Sequence, residues 1–175
     1  MIRLCNNDEI EEVHRIINDA ATAYKGHIPD DRYHEPYMTI DELNIEINDG
    51  VVLWVYEEEK KIKGVMGIQD KNEVSLIRHA YVRTHQRNSG IGTKLLAHLM
   101  ELTEKPILIG TWAAADWAIR FYKKNGFELV ASDEKVNLLK KYWNIPERQI
   151  ETSVVLVNNA WERIKGGVQP YGNHI

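Results

Sequence analysis

Arg87-Asn88-Ser89-Gly90-Ile91-Gly92 follows a run of strand character, Glu73 to Arg83, and opens a run of helical character that ends near Glu104. A glycine turn keeps side chains out of the way, so that successive backbone N–H groups can face one point. The helix that follows adds unsatisfied N–H groups and the positive end of its dipole. Such a junction binds anions, phosphate above all. Two common phosphate motifs do not fit. A P-loop has two glycines with four residues between them, then Lys and Ser/Thr; here position 87 is Arg, and Gly92-Thr93-Lys94 has the order reversed. A dinucleotide fingerprint needs a third glycine where this chain has Leu95. By itself the turn fits a phosphate cradle and a plain glycine loop equally well.

The stretches before the turn read as strands. Val51 to Glu57, Ile62 to Gln69 and Glu73 to Arg83 are separated only by the charged turn 58–61 and by Asp70-Lys71-Asn72. Connections that short force antiparallel pairing, so the three form a meander. In the third, Ile77, Ala80 and Val82 fit a core face, but the first two are an odd number apart. A β-bulge near Arg78-His79 restores the alternation and frees backbone groups beside the anion site.

After the turn, Ile91, Leu95, Leu96, Leu99 and Leu102 recur as the stripe of a helix. Pro106 to Trp112 is an apolar strand, which makes a right-handed crossover and a parallel pair. Asp116 is the expected cap of the next helix, and Asn125-Gly126 its stop. Phe127 to Ala131 reads as a strand, Glu134 to Trp143 as a short helix and Thr152 to Val157 as a last strand. Nearer the start, Ile2 to Cys5 is a strand and Asp8 caps a helix carrying Ile10, Val13, Ile16, Ile17 and Ala20. Thr39 or Asp41 caps a second helix with Leu43, Ile45 and Ile47 partly buried. The fold class is α/β (α+β), a mixed, mostly antiparallel sheet flanked by helices.

The 175 residues suffice for one domain with a proper core. A net charge of -4, with no long basic run, argues against a general nucleic-acid binder. Cys5 is the one cysteine, which excludes an internal disulfide and fits a reducing, cytoplasmic setting. The opening residues lack a signal-peptide pattern, and no apolar run is long enough to span a bilayer. Seven histidines are present, none paired at helical ligand spacing, so no metal site is expected.

Two motifs in this order carry a resemblance. The first is Ala80-Tyr81-Val82 followed by Gln86-Arg87-Asn88-Ser89-Gly90-Ile91-Gly92. The second is Ala118-Ile119-Arg120-Phe121-Tyr122-Lys123-Lys124-Asn125-Gly126-Phe127. Together they resemble the GCN5-related N-acetyltransferase (GNAT) superfamily over about residues 2 to 157. The resemblance implies a GNAT fold with a splayed parallel strand pair at an acetyl-CoA site, in a domain over 1–157 followed by a tail over 158–175. It implies that the backbone around Ala80 and Val82 receives the pantetheine arm. The turn formed by Arg87, Asn88, Ser89, Gly90, Ile91, Gly92 and Thr93 would cradle the pyrophosphate. It further implies that the Val82 N–H is an oxyanion donor and that Tyr122 is the general acid that protonates the CoA thiolate. Three positions depart from the family's pattern. Asn88 replaces a usual glycine, Ala115 replaces a usual asparagine, and Leu76 stands where a base is sometimes a glutamate, which leaves the base unassigned.

Each of these residues also has a plainer reading. Read without the motif, Tyr122 is a core tyrosine on an apolar helix face before it is an acid. His79 and Tyr81, beside the bulge, are candidates for a proton relay or for structural roles. The family's acceptor pocket is built from the first two helices, their loop and the C-terminal strands. Here those regions hold Tyr24, His27, Tyr33, His34, Tyr37, Trp143 and Arg148, with Tyr24, His27, Tyr33, Tyr37 and Trp143 the substrate-binding candidates. Trp112 and Trp117 are expected to pack around a helix end. The implied activity is transfer of acetyl from acetyl-CoA to a small-molecule amine or amino acid. The alternatives are a protein or peptide acceptor, or a non-catalytic CoA-binding domain. Family members are often homodimers, and Trp161 in the tail is a candidate contact.

Overall fold

The computed structural model describes residues 1–165. Its centre is a seven-stranded sheet whose strands are β1 (Ile2–Leu4), β2 (Val51–Glu58), β3 (Lys61–Asp70), β4 (Ser75–Val82), β5 (Ile107–Trp112), β6 (Glu128–Leu129) and β7 (Ser153–Val157). The spatial order is β1-β2-β3-β4-β5-β7-β6. The expected meander is present: β2, β3 and β4 pair antiparallel in sequence order. Glu59 and Lys60, both at positive φ, make the two-residue turn between β2 and β3, a twist that matches the strands it joins. β4 and β5 are the parallel pair, in register only from Ser75↔Ile107 to Ile77↔Ile109.

Alternation along the strands sends side chains to two covered faces. Val51, Leu53 and Val55 meet Val13, Ile16 and Ile17 of α1 (Ile10–Ala21) and Leu43 of α2 (Ile40–Asn48). On the other face Met66, Ile77 and Ile109 meet Leu95, Leu96 and Leu99 of α3 (Ile91–Met100) and Tyr122 of α4 (Asp116–Lys124). α5 (Ser132–Tyr142) covers the far end of the first face through Leu138, Leu139 and Tyr142. Each such fully buried aliphatic side chain contributes about 1.5–3 kcal/mol.

Several local expectations are corrected. Entry to α1 is a single turn over Asn7–Glu9 in which the Glu9 carboxylate accepts the Asn6 amide at 2.8 Å; Asp8 sits exposed inside that turn. α2 is capped by Thr39, whose Oγ1 accepts from Glu42 N at 3.1 Å while Glu42 Oε2 accepts from Thr39 N at 2.8 Å, a reciprocal box. Ile45 is 66% exposed, because Leu43 and Ile47, four apart, define the buried face and 45 falls opposite. Leu102 lies beyond α3 and is exposed. Asp116 is the first residue of α4 rather than its cap, which is Ala115. The strand expected over 127–131 is only two residues long, since Phe127 turns into the core.

Two helices were not anticipated. α6 (Glu147–Glu151) follows Pro146, and α7 (Asn159–Lys165) occupies the start of the stretch read as a tail. Trp161 of α7 packs on the α5–β7 cluster and donates Nε1–H to Glu134 at 2.9 Å, a contact within the chain. The rest of that stretch, 166–175, lies outside the described residues. Among the described residues no helix is long and apolar enough to cross a membrane.

Candidate active site

The glycine turn is shaped by two left-handed residues, Asn88 at φ 64° and Gly90 at φ 83°. They bend the chain so that the amides of residues 88 to 93 meet no acceptor among the described residues. Six free donors at a helix N-terminus are the fit expected for a pyrophosphate. The turn is held from behind by the end of α1. Arg87 Nη2 donates to the Ala20 carbonyl at 3.0 Å, and Asp19 accepts the Thr84 amide at 2.9 Å. A cavity of about 670 Å³ opens in front of it. Ala80, Val82, Arg87, Asn88, Gly90, Ile91, Gly92 and Thr93 all line this cavity, with Trp117 and Phe121 opposite. Ser89 does not line it; its hydroxyl donates to the Gln86 carbonyl. Trp117 packs at the start of α4 as expected and also forms part of the wall.

The cavity continues between the splayed strands. Between the pairs Val65↔Tyr81 and Gly67↔Arg78, one residue of β3 faces two of β4, His79 and Ala80. This is the bulge that the odd spacing required, and His79 takes φ 53° there. Beyond it the Arg83 amide donates to the Lys63 carbonyl at 3.0 Å. By alternation the Val82 amide therefore faces away from β3, into the gap that β5 has left.

A second cavity, of about 420 Å³, lies across the gap between α2, β5 and the segment around 143–149. Tyr24 and Tyr81 line both cavities, so their phenols stand at the junction. Tyr24 packs on Tyr37 at 5.2 Å and on Trp117 at 6.0 Å between ring centroids. Trp112 packs in the same cluster, lines the second cavity and donates Nε1–H to the Tyr37 hydroxyl at 2.8 Å. Burial pushes the Tyr24 phenol up to about 12 and raises Tyr37 and Tyr81 in the same direction. Tyr122 lines neither cavity; it is 6% exposed and packed on Phe121 and Phe127 at 5.1 and 6.1 Å. Burial raises its phenol too, and it takes no hydrogen bond among the described residues. All four tyrosines are thus neutral, proton-bearing groups near pH 7.

The second cavity gathers His79, Tyr37, His34 and Trp143 from the sequence candidates. Trp143 lies flat on β5 at Gly110, where an added Cβ would come within 3.2 Å of the indole. His27 and Tyr33 do not line it: His27 packs on Trp117 at 5.3 Å, and Tyr33 bonds Glu35 at 3.1 Å. Arg148 stands outside it too, paired with Asp31 at 3.0 Å, and ties α6 to the loop after α1. Sequence reasoning missed Glu46 and Arg78. Glu46 reaches from α2 to Arg78 Nη2 at 2.8 Å and to His79 Nε2. Among the described residues no group of three His, Cys, Asp or Glu side chains is placed to hold a metal ion.

Residues 49–129, from the end of α2 through β6, match the family model described as "Acetyltransferase (GNAT) domain". That stretch resembles a GNAT acetyltransferase domain. The matched stretch contains the turn, the bulged strand and the Tyr122 helix. A GNAT-family acetyltransferase of Staphylococcus aureus Mu50 is similar at TM-score 0.67 and 23% identity, over 91% of this chain and 98% of that one. The PaiA N-acetyltransferase of Thermoplasma acidophilum, solved with coenzyme A, gives TM-score 0.67 at 13% identity, over 90% and 97%. The ribosomal-protein-S18-alanine N-acetyltransferase of Escherichia coli gives 0.65 at 12%, over 100% and 97%. These likenesses establish the GNAT fold expected from the two motifs. No curated protein matches the sequence.

Proposed function

We propose that the chain transfers acetyl from acetyl-CoA to the primary amine of a small molecule or amino acid by direct attack. The observation that carries this reading is the meeting of two cavities at Tyr24 and Tyr81, with a phosphate-fitted turn at the end of one. Acetyl-CoA supplies the acetyl group as a thioester. The amides of residues 88 to 93 bind its pyrophosphate, and the gap between β4 and β5 takes its arm. The Val82 amide faces the carbonyl oxygen and stabilises the charge that develops there. Tyr122 holds a proton for the departing sulfur; a raised phenol keeps that proton at neutral pH. Tyr81 and His79 line the acceptor side, within reach of an attacking amine.

The size of the second cavity favours a small acceptor. About 420 Å³ is within the range of small-molecule sites. Outside it, Arg148 of α6 bonds to Asp31 of the loop after α1. The assay is thiol release from acetyl-CoA with a panel of primary amines and amino acids, run beside mass spectrometry of a peptide pool. Turnover with small amines and no peptide acetylation is expected. Acetylated peptides without small-molecule turnover would move the acceptor to proteins, and no turnover despite tight CoA binding would remove the catalytic reading.

A further inference from the structure

An amine that reaches the acceptor cavity protonated must lose a proton before it can attack. Leu76 of β4 is apolar and fully buried, so that strand offers no carboxylate there. The cavity has a carboxylate of its own, Glu46, brought from α2. Both of its oxygens are engaged, one by Arg78 Nη2 at 2.8 Å and the other by His79 Nε2. Arg78 is itself fixed. Its Nη1 donates to Gln69 Oε1 at 2.9 Å, and the Gln69 amide donates to Asp49 at 3.0 Å. Bonds thus run from the end of α2 through β3 to the bulge on β4.

Burial alone would raise the Glu46 carboxyl, but His79 and Arg78 outweigh it and hold the group below its ordinary value. A carboxylate held this way is a weak base and a strong orienting charge. His79 is the opposite case. Its side chain is 8% exposed, and Nε2 faces Glu46. Nδ1 has no hydrogen-bond partner among the described residues and is not sealed from solvent. Its left-handed backbone is uncommon for a residue other than glycine, and such conformations persist where surrounding structure enforces them.

We propose that Glu46 is a positioning residue that holds His79 with its proton on Nε2, leaving Nδ1 as the atom that takes the proton from the acceptor amine. This rests on the acetyl-transfer reading. The amine nitrogen bonds to the acetyl carbon as the carbon–sulfur bond breaks. The protonated amine gives one proton to Nδ1 before it attacks; the second, shed as the nitrogen is acylated, passes to solvent, and Tyr122 gives its proton to the sulfur. Solvent then restores both side chains. Arg78 makes the arrangement testable with a nearly isosteric change. In Glu46→Gln the guanidinium, which only donates, holds the amide oxygen. The amide NH₂ then faces His79 Nε2, which must accept, so the histidine proton moves to Nδ1.

The test uses the full chain with ¹⁵N-labelled histidine and bound CoA. Long-range ¹H–¹⁵N spectra of neutral His79 are expected to give an Nε2–H tautomer in the wild type and an Nδ1–H tautomer in Glu46→Gln. Kinetics are read with phenethylamine, which is protonated at neutral pH, and with benzohydrazide, which is neutral. Glu46→Gln is expected to lower kcat for phenethylamine by about 10²-fold or more, the scale of general-base catalysis. Benzohydrazide turnover and the KM for acetyl-CoA stay near the wild-type values. A wild-type Nδ1–H tautomer, an unchanged tautomer in the variant, or an equal loss for both nucleophiles would overturn the assignment. Absence of turnover with every amine tested would instead sink acetyl transfer itself, and the base role with it.

Discussion

Replacing Gly90 with alanine isolates the backbone geometry of the glycine turn. Gly90 has φ 83° and ψ 3°, and an added Cβ would meet nothing within 4 Å. The methyl group therefore clashes with no neighbour, and the whole effect is conformational. An L-residue in the left-handed region is less stable by about 1–2 kcal/mol. That energy either destabilises the fold or relaxes the turn. If the turn relaxes, the competent conformer falls to a minor population, and the apparent Kd rises by about 5–30-fold. Calorimetric titration with CoA and with pantetheine separates the contributions, because pantetheine has no pyrophosphate. Gly90→Ala is expected to weaken CoA by that factor and to leave pantetheine unchanged. An unchanged CoA affinity in a variant of unchanged stability, or equal weakening of both ligands, would refute a cradle formed by the amides of residues 88 to 93.

Other outcomes follow from the same geometry. Gly110→Val drives a side chain into the Trp143 indole, which already lies 3.2 Å from the position of an added Cβ. With overpacking at about 1–3 kcal/mol, steady-state kinetics should give a higher acceptor KM at unchanged CoA affinity. Thr39→Ala removes the α2 cap and should lower stability by about 1 kcal/mol in urea titrations; kcat falls with it, because α2 carries Glu46. The Glu46 carboxyl is depressed from an ordinary 4.5, so its contribution to stability is full above that pH and lost as pH falls through the folded value. Urea titrations should therefore find the wild-type advantage over Glu46→Gln shrinking below pH 4.5. Tyr24 is raised from 10 to about 12, so its contribution is full below pH 10 and is lost as pH rises through 12. Tyr24→Phe should flatten that alkaline decline.

The sheet was legible because short turns leave antiparallel pairing as the only option, and the bulge because Ile77 and Ala80 break a period of two. His79 at positive φ is the physical form of that break. The turn was legible for a similar reason: few residues other than Asn88 and Gly90 tolerate the left-handed region. Glu46 was not legible. On its own helix it is one more acid on a polar face, and only the docking of α2 against the end of β4 brings it to His79. Trp112 and Trp117 pack at the start of α4 as expected; that they also border cavities depends on how the strands splay. α6 escaped notice because five residues with one buried side chain, Ile150, carry no period.

Acetyl transfer at the Tyr24–Tyr81 junction is tested most directly by comparing wild type with Tyr122→Phe in thiol release from acetyl-CoA, at saturating amine, with CoA affinity measured on the same samples. In the proposed mechanism the phenol gives its proton to the leaving sulfur, so kcat should fall by about 10²–10⁴-fold while the CoA Kd stays the same. Turnover by Tyr122→Phe within about twofold of wild type, far inside the range for a lost general acid, would contradict it.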